Sequence, residues 1–157
     1  MDIRIEDILT PERTLIDAPV SSKKKLLEYL AGFIAEQLSD SSADDIYERL
    51  LSRERLGSTG IGEGIAIPHC RLKQCDQAMG VLLRLMEPVD YDAIDRQPVD
   101  LVFTLLAPVD GGVDHLKALA LVSRTLRDAA LCTKLRANND PSALYALLTA
   151  TESIQAA

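Results

Sequence analysis

The sequence predicts one α/β domain with its β-sheet sandwiched between helices, and three observations carry that prediction. Residues 78–86 and 99–107 are almost wholly apolar, the pattern of strands covered on both faces. Around them lie segments whose apolar residues recur at helical spacing. At 157 residues the chain has the size of one domain with a substantial core, and no repeat, low-complexity tract or linker divides residues 1–157. Aromatic residues make up 4% and Trp is absent, so the core is built from Leu, Ile, Val and Ala.

In chain order, residues 1–20 read as short extended pieces, with an edge strand at Thr14-Leu15-Ile16-Asp17 between Pro11 and Pro19. Ser21 and Ser22 offer an N-cap to a helix over about 22–38, whose inward residues are Leu26, Leu27, Leu30, Phe33, Ile34 and Leu38. After a polar break, Ser42 caps a second helix with Asp44 and Asp45 in its first turn, where carboxylates suit the helix dipole. That helix buries Ile46, Leu50 and Leu51 and ends near Leu56-Gly57. A glycine-rich loop follows, then a short strand Ile65-Ala66-Ile67 stopped by Pro68. The two central strands are separated by an acidic loop, Glu87 to Pro98, containing Tyr91. Pro108 to Gly112 turns the chain into a helix over about 113–127, with Leu116, Leu119, Ala120, Val122 and Leu126 inward. Shorter helices near 128–137 and 141–150 close the fold.

Net charge is −7, which argues against nucleic acid as a partner, because phosphate backbones attract basic surfaces. No apolar run reaches the roughly 20 residues of a membrane span, so no membrane insertion is expected. The opening Met1-Asp2-Ile3-Arg4-Ile5-Glu6 is too charged for a signal peptide. Cys70, Cys75 and Cys132 form no secreted framework and read as free thiols in a reducing cytoplasm.

The segment Gly57 to Arg71 concentrates the chemistry. It holds four of the eight glycines and one of the two histidines, and it delivers His69 at the end of the short strand. The glycines are not a dinucleotide fingerprint, because Ile65 stands where the third glycine belongs, and no Gly-Lys-Ser/Thr follows to make a phosphate-binding loop of the nucleotide type. No Gly-x-Ser-x-Gly nucleophile elbow is present either. His69 is the candidate nucleophile, since a neutral imidazole can carry a covalent intermediate. Between residues 53 and 73, Arg53, Arg55, Arg71 and Lys73 face only Glu54 and Glu63, a basic island in an acidic chain. Ser58 and Thr59 add hydroxyls, and exposed glycine N–H groups can form an anion nest. His115 falls in the first turn of the 113–127 helix, where it either donates its one N–H to an anion or to His69, or is held at the edge of the core by a backbone carbonyl. His69, Cys70, Cys75 and His115 lack metal-ligand spacing, so neither metal nor cofactor is expected. Cys70 as a nucleophile is an alternative, with adjacent cations to activate it but a poorly placed base in His69.

Gly62-Glu63-Gly64-Ile65-Ala66-Ile67-Pro68-His69 resembles the phosphorylation-site signature of enzyme IIA domains of the fructose/mannitol type, components of the phosphoenolpyruvate-dependent phosphotransferase system. Arg53-Glu54-Arg55 and His115 resemble the family in type and spacing, and the similarity runs from about Ile5 to Leu148. Ile5-Glu6-Asp7-Ile8-Leu9, Ser22-Lys23-Lys24-Lys25-Leu26-Leu27 and a length with no fused transporter or IIB segment resemble the nitrogen-regulatory branch. The resemblance implies a mixed sheet flanked by helices on both faces, in a single IIA type-2 domain over 1–157. It implies that His69 accepts a phosphoryl group on Nε2 from a histidine-containing phosphocarrier protein, that Arg53 stabilises the group and that His115 hydrogen-bonds beside it. Ser58, Thr59 and Glu63 are the further candidate binding residues. Such a protein is a cytoplasmic bacterial phosphotransferase component with a covalent phosphohistidine intermediate, rather than a stand-alone enzyme. Its phosphorylation state would be read by regulatory target proteins. The alternatives are a sugar-specific IIA passing phosphoryl to a IIB domain, a regulator that acts by docking alone, and a Cys70 thiol hydrolase.

Overall fold

The computed structural model describes residues 3–156. In it the chain runs α1 (Ile5–Ile8), β1 (Thr14–Ile16), α2 (Lys23–Gln37), α3 (Ala43–Arg55), β2 (Gly60–Gly62), β3 (Ile65–Ala66), β4 (His69–Leu72), β5 (Met79–Val89), β6 (Val99–Pro108), α4 (Gly112–Leu126), α5 (Ala129–Ala137) and α6 (Pro141–Ala156). The six strands form one mixed sheet in the order β1-β5-β6-β3-β2, with β4 also on β6. β5 and β6 pair antiparallel. β1 joins β5 in parallel, and β3 and β4 both join β6 in parallel.

Alternation along the central strands sorts the core into two layers. Val81, Leu83 and Leu85 of β5 and Val102 and Leu106 of β6 pack with Leu27, Leu30, Ile34, Ile46 and Leu50 of α2 and α3. Leu82, Leu101, Phe103 and Leu105 face the other way, onto Ile5 and Ile8 of α1 and Val122, Leu126, Leu135, Leu144 and Leu148 of α4 to α6. Both faces are therefore covered, as expected for near-continuous apolar strands.

The caps stand where the sequence puts them. Ser22 Oγ accepts from Lys25 N at 3.1 Å and Ser42 Oγ from Asp45 N at 3.0 Å. Four expectations are corrected. Residues 5–8 are helical rather than extended, closed by Asp7 accepting from Arg4 N at 2.8 Å, with Ile5 and Ile8 buried; residues 1–2 lie outside the described residues. β5 runs on to Val89, with a register shift between Arg84 and Val89. The inward stripe of α4 is His115, Ala118, Leu121, Val122, Thr125 and Leu126, which leaves Leu116 and Ala120 exposed. The glycine stretch is no loose loop: Gly60–Gly62 is a strand antiparallel to β3, turned by Gly62 and Gly64 at φ of 100° and 79°.

Candidate functional site

His69 begins β4 rather than ending β3. Ala66 pairs with Val102 and His69 with Leu105, so Ile67 and Pro68 bridge two tracts on the same side of β6. Pro68 has no N–H to offer a ladder, but its carbonyl accepts from Leu105 N at 2.9 Å. Ile67 N donates to Thr59 O at 3.0 Å, and the Ile67 carbonyl accepts from His69 Nδ1 at 2.8 Å. A carbonyl only accepts, so Nδ1 carries the proton and the lone pair sits on Nε2. Arg53, in the last turn of α3, donates its Nε to that atom at 3.2 Å and its Nη1 to Gly57 O at 2.9 Å. The His115 ring lies across from His69, centroids 5.7 Å apart and tilted by 50°. His115 is 7% exposed, and its Nδ1 has no hydrogen-bond partner among the described residues.

The electrostatics keep both imidazoles neutral at pH 7. Burial lowers the His69 pKa and Arg53 adds to that, against the Ile67 carbonyl and Glu54, which raise it. Burial, then the Arg71 charge, then His69 push His115 down to about 4. Arg71 donates Nη1 to Pro108 O at 3.3 Å and to Val109 O at 3.4 Å, on the approach to α4. The site thus presents a neutral nitrogen lone pair beside a guanidinium. That arrangement suits attack on an electrophile which then leaves an anion against Arg53.

Below this pair lies a network that sequence reasoning missed. The Glu54 carboxylate accepts from Thr59 N at 3.1 Å, from Tyr91 OH at 2.8 Å and from Lys23 Nζ at 2.9 Å, and it also meets Thr59 Oγ1 in a close contact. Lys23 Nζ stands 4.5 Å from the centroid of the Tyr91 ring. Burial raises the Glu54 pKa, but its Thr59, Lys23 and Tyr91 donors outweigh that and hold it below the ordinary value. Tyr91 is fully buried and its hydroxyl is pushed up, chiefly by burial and then by Glu54. One signal was legible: a carboxylate in the last turn of a helix, between two arginines, stands at the wrong end of the dipole.

Of the sequence candidates, Arg53 and His115 meet His69, and the other three do not. Thr59 is 4% exposed and its hydroxyl lies in the Glu54 network. Ser58 Oγ turns back onto its own loop, accepting from Gly60 N at 3.1 Å and reaching Tyr91 O at 3.5 Å. Glu63 forms the β2–β3 turn at φ 58°, where its N donates to Asp95 Oδ2 and its carbonyl accepts from Arg136 Nη2. Ile65 pairs with Leu101 and His69 with Leu105, so Glu63 lies beyond about 13 Å of strand from the imidazole. The expected glycine nest is likewise replaced by the hairpin. Cys70 points to the α2/α3 side of the sheet, and burial, with Cys75 adding, raises its pKa to about 12, which disfavours a nucleophilic thiolate. Among the described residues no helix is long and apolar enough to cross a membrane.

The family described as "Phosphoenolpyruvate-dependent sugar phosphotransferase system, EIIA 2" matches residues 7–151. A nitrogen regulatory protein from Pseudomonas aeruginosa is 44% identical over 153 residues, which cover 98% of this chain and 99% of that protein. The crystal structure of nitrogen regulatory protein IIA-Ntr from Neisseria meningitidis superposes with a TM-score of 0.86 at 36% identity, covering 92% of this chain and 99% of that one. The mannitol enzyme IIA of Escherichia coli, solved in complex with phosphorylated mannitol enzyme IIB, shares the fold at a TM-score of 0.69 and 17% identity, over 87% of this chain and 94% of that one.

Proposed function

Because the chain belongs to the EIIA 2 family of the phosphoenolpyruvate-dependent phosphotransferase system, we propose that it is a phosphohistidine carrier with a regulatory output. His69 Nε2 accepts a phosphoryl group from a phosphohistidine on a small carrier protein, and regulatory partners read the phosphorylation state. The observation that carries this reading is the hydrogen bond from His69 Nδ1 to Ile67 O, which leaves the lone pair on Nε2 beside Arg53.

In the transfer, the donor's P–N bond breaks as the Nε2–P bond forms, and the departing imidazole takes back its electron pair. The His69 ring gains positive character, and the Nδ1 proton stays on its bond to the Ile67 carbonyl. Arg53 leaves Nε2 and turns its N–H groups to the phosphoryl oxygens, with Gly57 O as its pivot. A neutral His115 adds one N–H at the side of the site. Little covalent chemistry is asked of the protein, because in-line transfer depends on positioning and charge stabilisation.

The regulatory output rests on 44% identity to a nitrogen regulatory protein along nearly the whole chain. The second reading is a sugar component that hands phosphoryl to a IIB domain, supported by the shared fold of the mannitol enzyme IIA solved with its phosphorylated IIB. Incubation with phosphoenolpyruvate, enzyme I and the carrier should give an acid-labile phosphate that His69→Ala abolishes. Label persisting in that variant would overturn the site. Onward transfer to a fructose or mannitol IIB domain would favour the second reading.

A further inference from the structure

Both nitrogens of His69 trace back, bond by bond, to one buried carboxylate. On one side Glu54 accepts from Thr59 N, Thr59 O accepts from Ile67 N, and Ile67 O holds His69 Nδ1. On the other side Glu54 is the chain neighbour of Arg53, whose guanidinium spans Gly57 O and His69 Nε2. The four donors on the Glu54 carboxylate come from three separate places: Lys23 at the start of α2, Thr59 before β2 and Tyr91 after β5. Its side chain is 3% exposed, so it touches no partner protein.

A carboxylate in this position has three penalties: it is buried, it stands at a helix C-terminus, and it draws in a lysine and a tyrosine that must also leave water. An apolar residue would pack α3 against the sheet without them. What an apolar residue cannot do is accept from Thr59 N and so fix the Gly57–Thr59 segment to the end of α3. We propose that Glu54 is the positioning residue of this site, bracing the imidazole through Thr59 and Ile67 at Nδ1 and through Arg53 at Nε2. The proposal rests on the reading of His69 as phosphoryl acceptor for its kinetic consequence, and not for its structural one. In support, the Glu54 charge raises the His69 pKa while that of Arg53 lowers it, as expected for two charges held close to the ring.

The test is Glu54→Gln, which keeps size and one accepting oxygen but sets an amide N–H₂ either against Lys23 Nζ or against Tyr91 OH and Thr59 Oγ1, which meet different oxygens of the carboxylate. Tyr91→Phe accompanies it, removing one donor and leaving the carboxylate in place. Two measurements are made on each: the tautomer and titration of His69 by ¹⁵N NMR, and the rate of phosphoryl uptake against carrier concentration. Misplacement of the acceptor lowers the maximal rate by roughly tenfold or more in Glu54→Gln, with half-saturating carrier unchanged. His69 becomes a mixture of Nδ1–H and Nε2–H tautomers. Tyr91→Phe moves both readouts the same way by less, and it decides the matter if Glu54→Gln does not fold. A lowered melting temperature with wild-type tautomer and maximal rate would make Glu54 purely structural and overturn the proposal. A change confined to half-saturating carrier would overturn it as well. If the wild-type protein takes up no phosphate, the proposed function falls, while the tautomer measurement still decides the role of Glu54.

Discussion

A neutral histidine buried at position 115 ties the stability of the protein to pH. Its pKa is about 4 in the fold against roughly 6.5 in an unfolded chain. Between those values the unfolded chain binds a proton that the folded one refuses, so stability rises with pH across the window and is lost on acidification from about 6.5 to about 4. Denaturant titrations at pH 7 and 4.5 should show a smaller difference in His115→Gln than in wild type. Equal differences would mean that another group drives the loss. Glu54 works in a lower window: its pKa is depressed, so its contribution is present above roughly 4.3 and fades as pH falls through the folded value. At this scale His69 was legible, because a histidine after a proline in a basic stretch is conspicuous in an acidic chain, while Arg53 was one of four cations there and only the family resemblance singled it out. Glu54 was passed over, since between Arg53 and Arg55 it reads as one more charge on a solvated helix unless its place at the negative end of the dipole is weighed. Thr59 was misread for the complementary reason: a hydroxyl near a candidate anion site looks available until its burial is known.

The element that organises the site is the β2–β3 hairpin. Gly60 packs so closely on the loop after β5 that a Cβ there would lie 2.7 Å from Ala93 Cβ and 2.9 Å from its Cα. Gly60→Ala should therefore destabilise the fold by about 1–3 kcal/mol, read from the urea midpoint. It should also disturb the Tyr91 end of the Glu54 network, which a change in Tyr91 fluorescence would report. An unchanged midpoint would show that the loop yields freely. Sequence patterning missed this hairpin because β2 reads Gly-Ile-Gly, and glycines carry no side chains to alternate. It missed α1 because four residues are too few to show a helical period. It recovered α2 and α3 almost to the residue, because Ser22 and Ser42 mark their starts chemically. The phase of α4 was misjudged because Val113, Leu116, Leu119 and Ala120 spread apolar residues round the helix, and only the packing of His115 and Ala118 on the sheet side decides which stripe turns in.

Across the whole molecule, the surface around His115 breaks the rule that large apolar side chains are covered. Val113 is 65% exposed, Leu116 64% and Val109 47%, while Leu56, three residues after Arg53, is 84% exposed. On the proposed function, a carrier bringing its phosphohistidine to His69 docks over this rim, where apolar contact surrounded by polar residues suits a transient partner. Leu116→Lys should raise the carrier concentration for half-maximal uptake severalfold while shifting stability by no more than about 0.5 kcal/mol. Half-saturation equal to wild type would place docking elsewhere. The sandwiched sheet was legible as two apolar runs and its mixed character only through the family resemblance, but its register was not legible, because pairing between distant segments leaves no local mark. That register has a consequence for the chain as it is made. β6 is the last strand to be synthesised, and β3 and β4 lie against it in parallel, with His69 opposite Leu105. A growing chain that has passed His69 carries the whole Gly57–His69 stretch with no strand to seat it on. Parallel pairing also forms slowly, since the connection must close before any contact rewards it. Chains released before β6 is made therefore carry the whole Gly57–His69 stretch without the strand that sets His69 opposite Leu105.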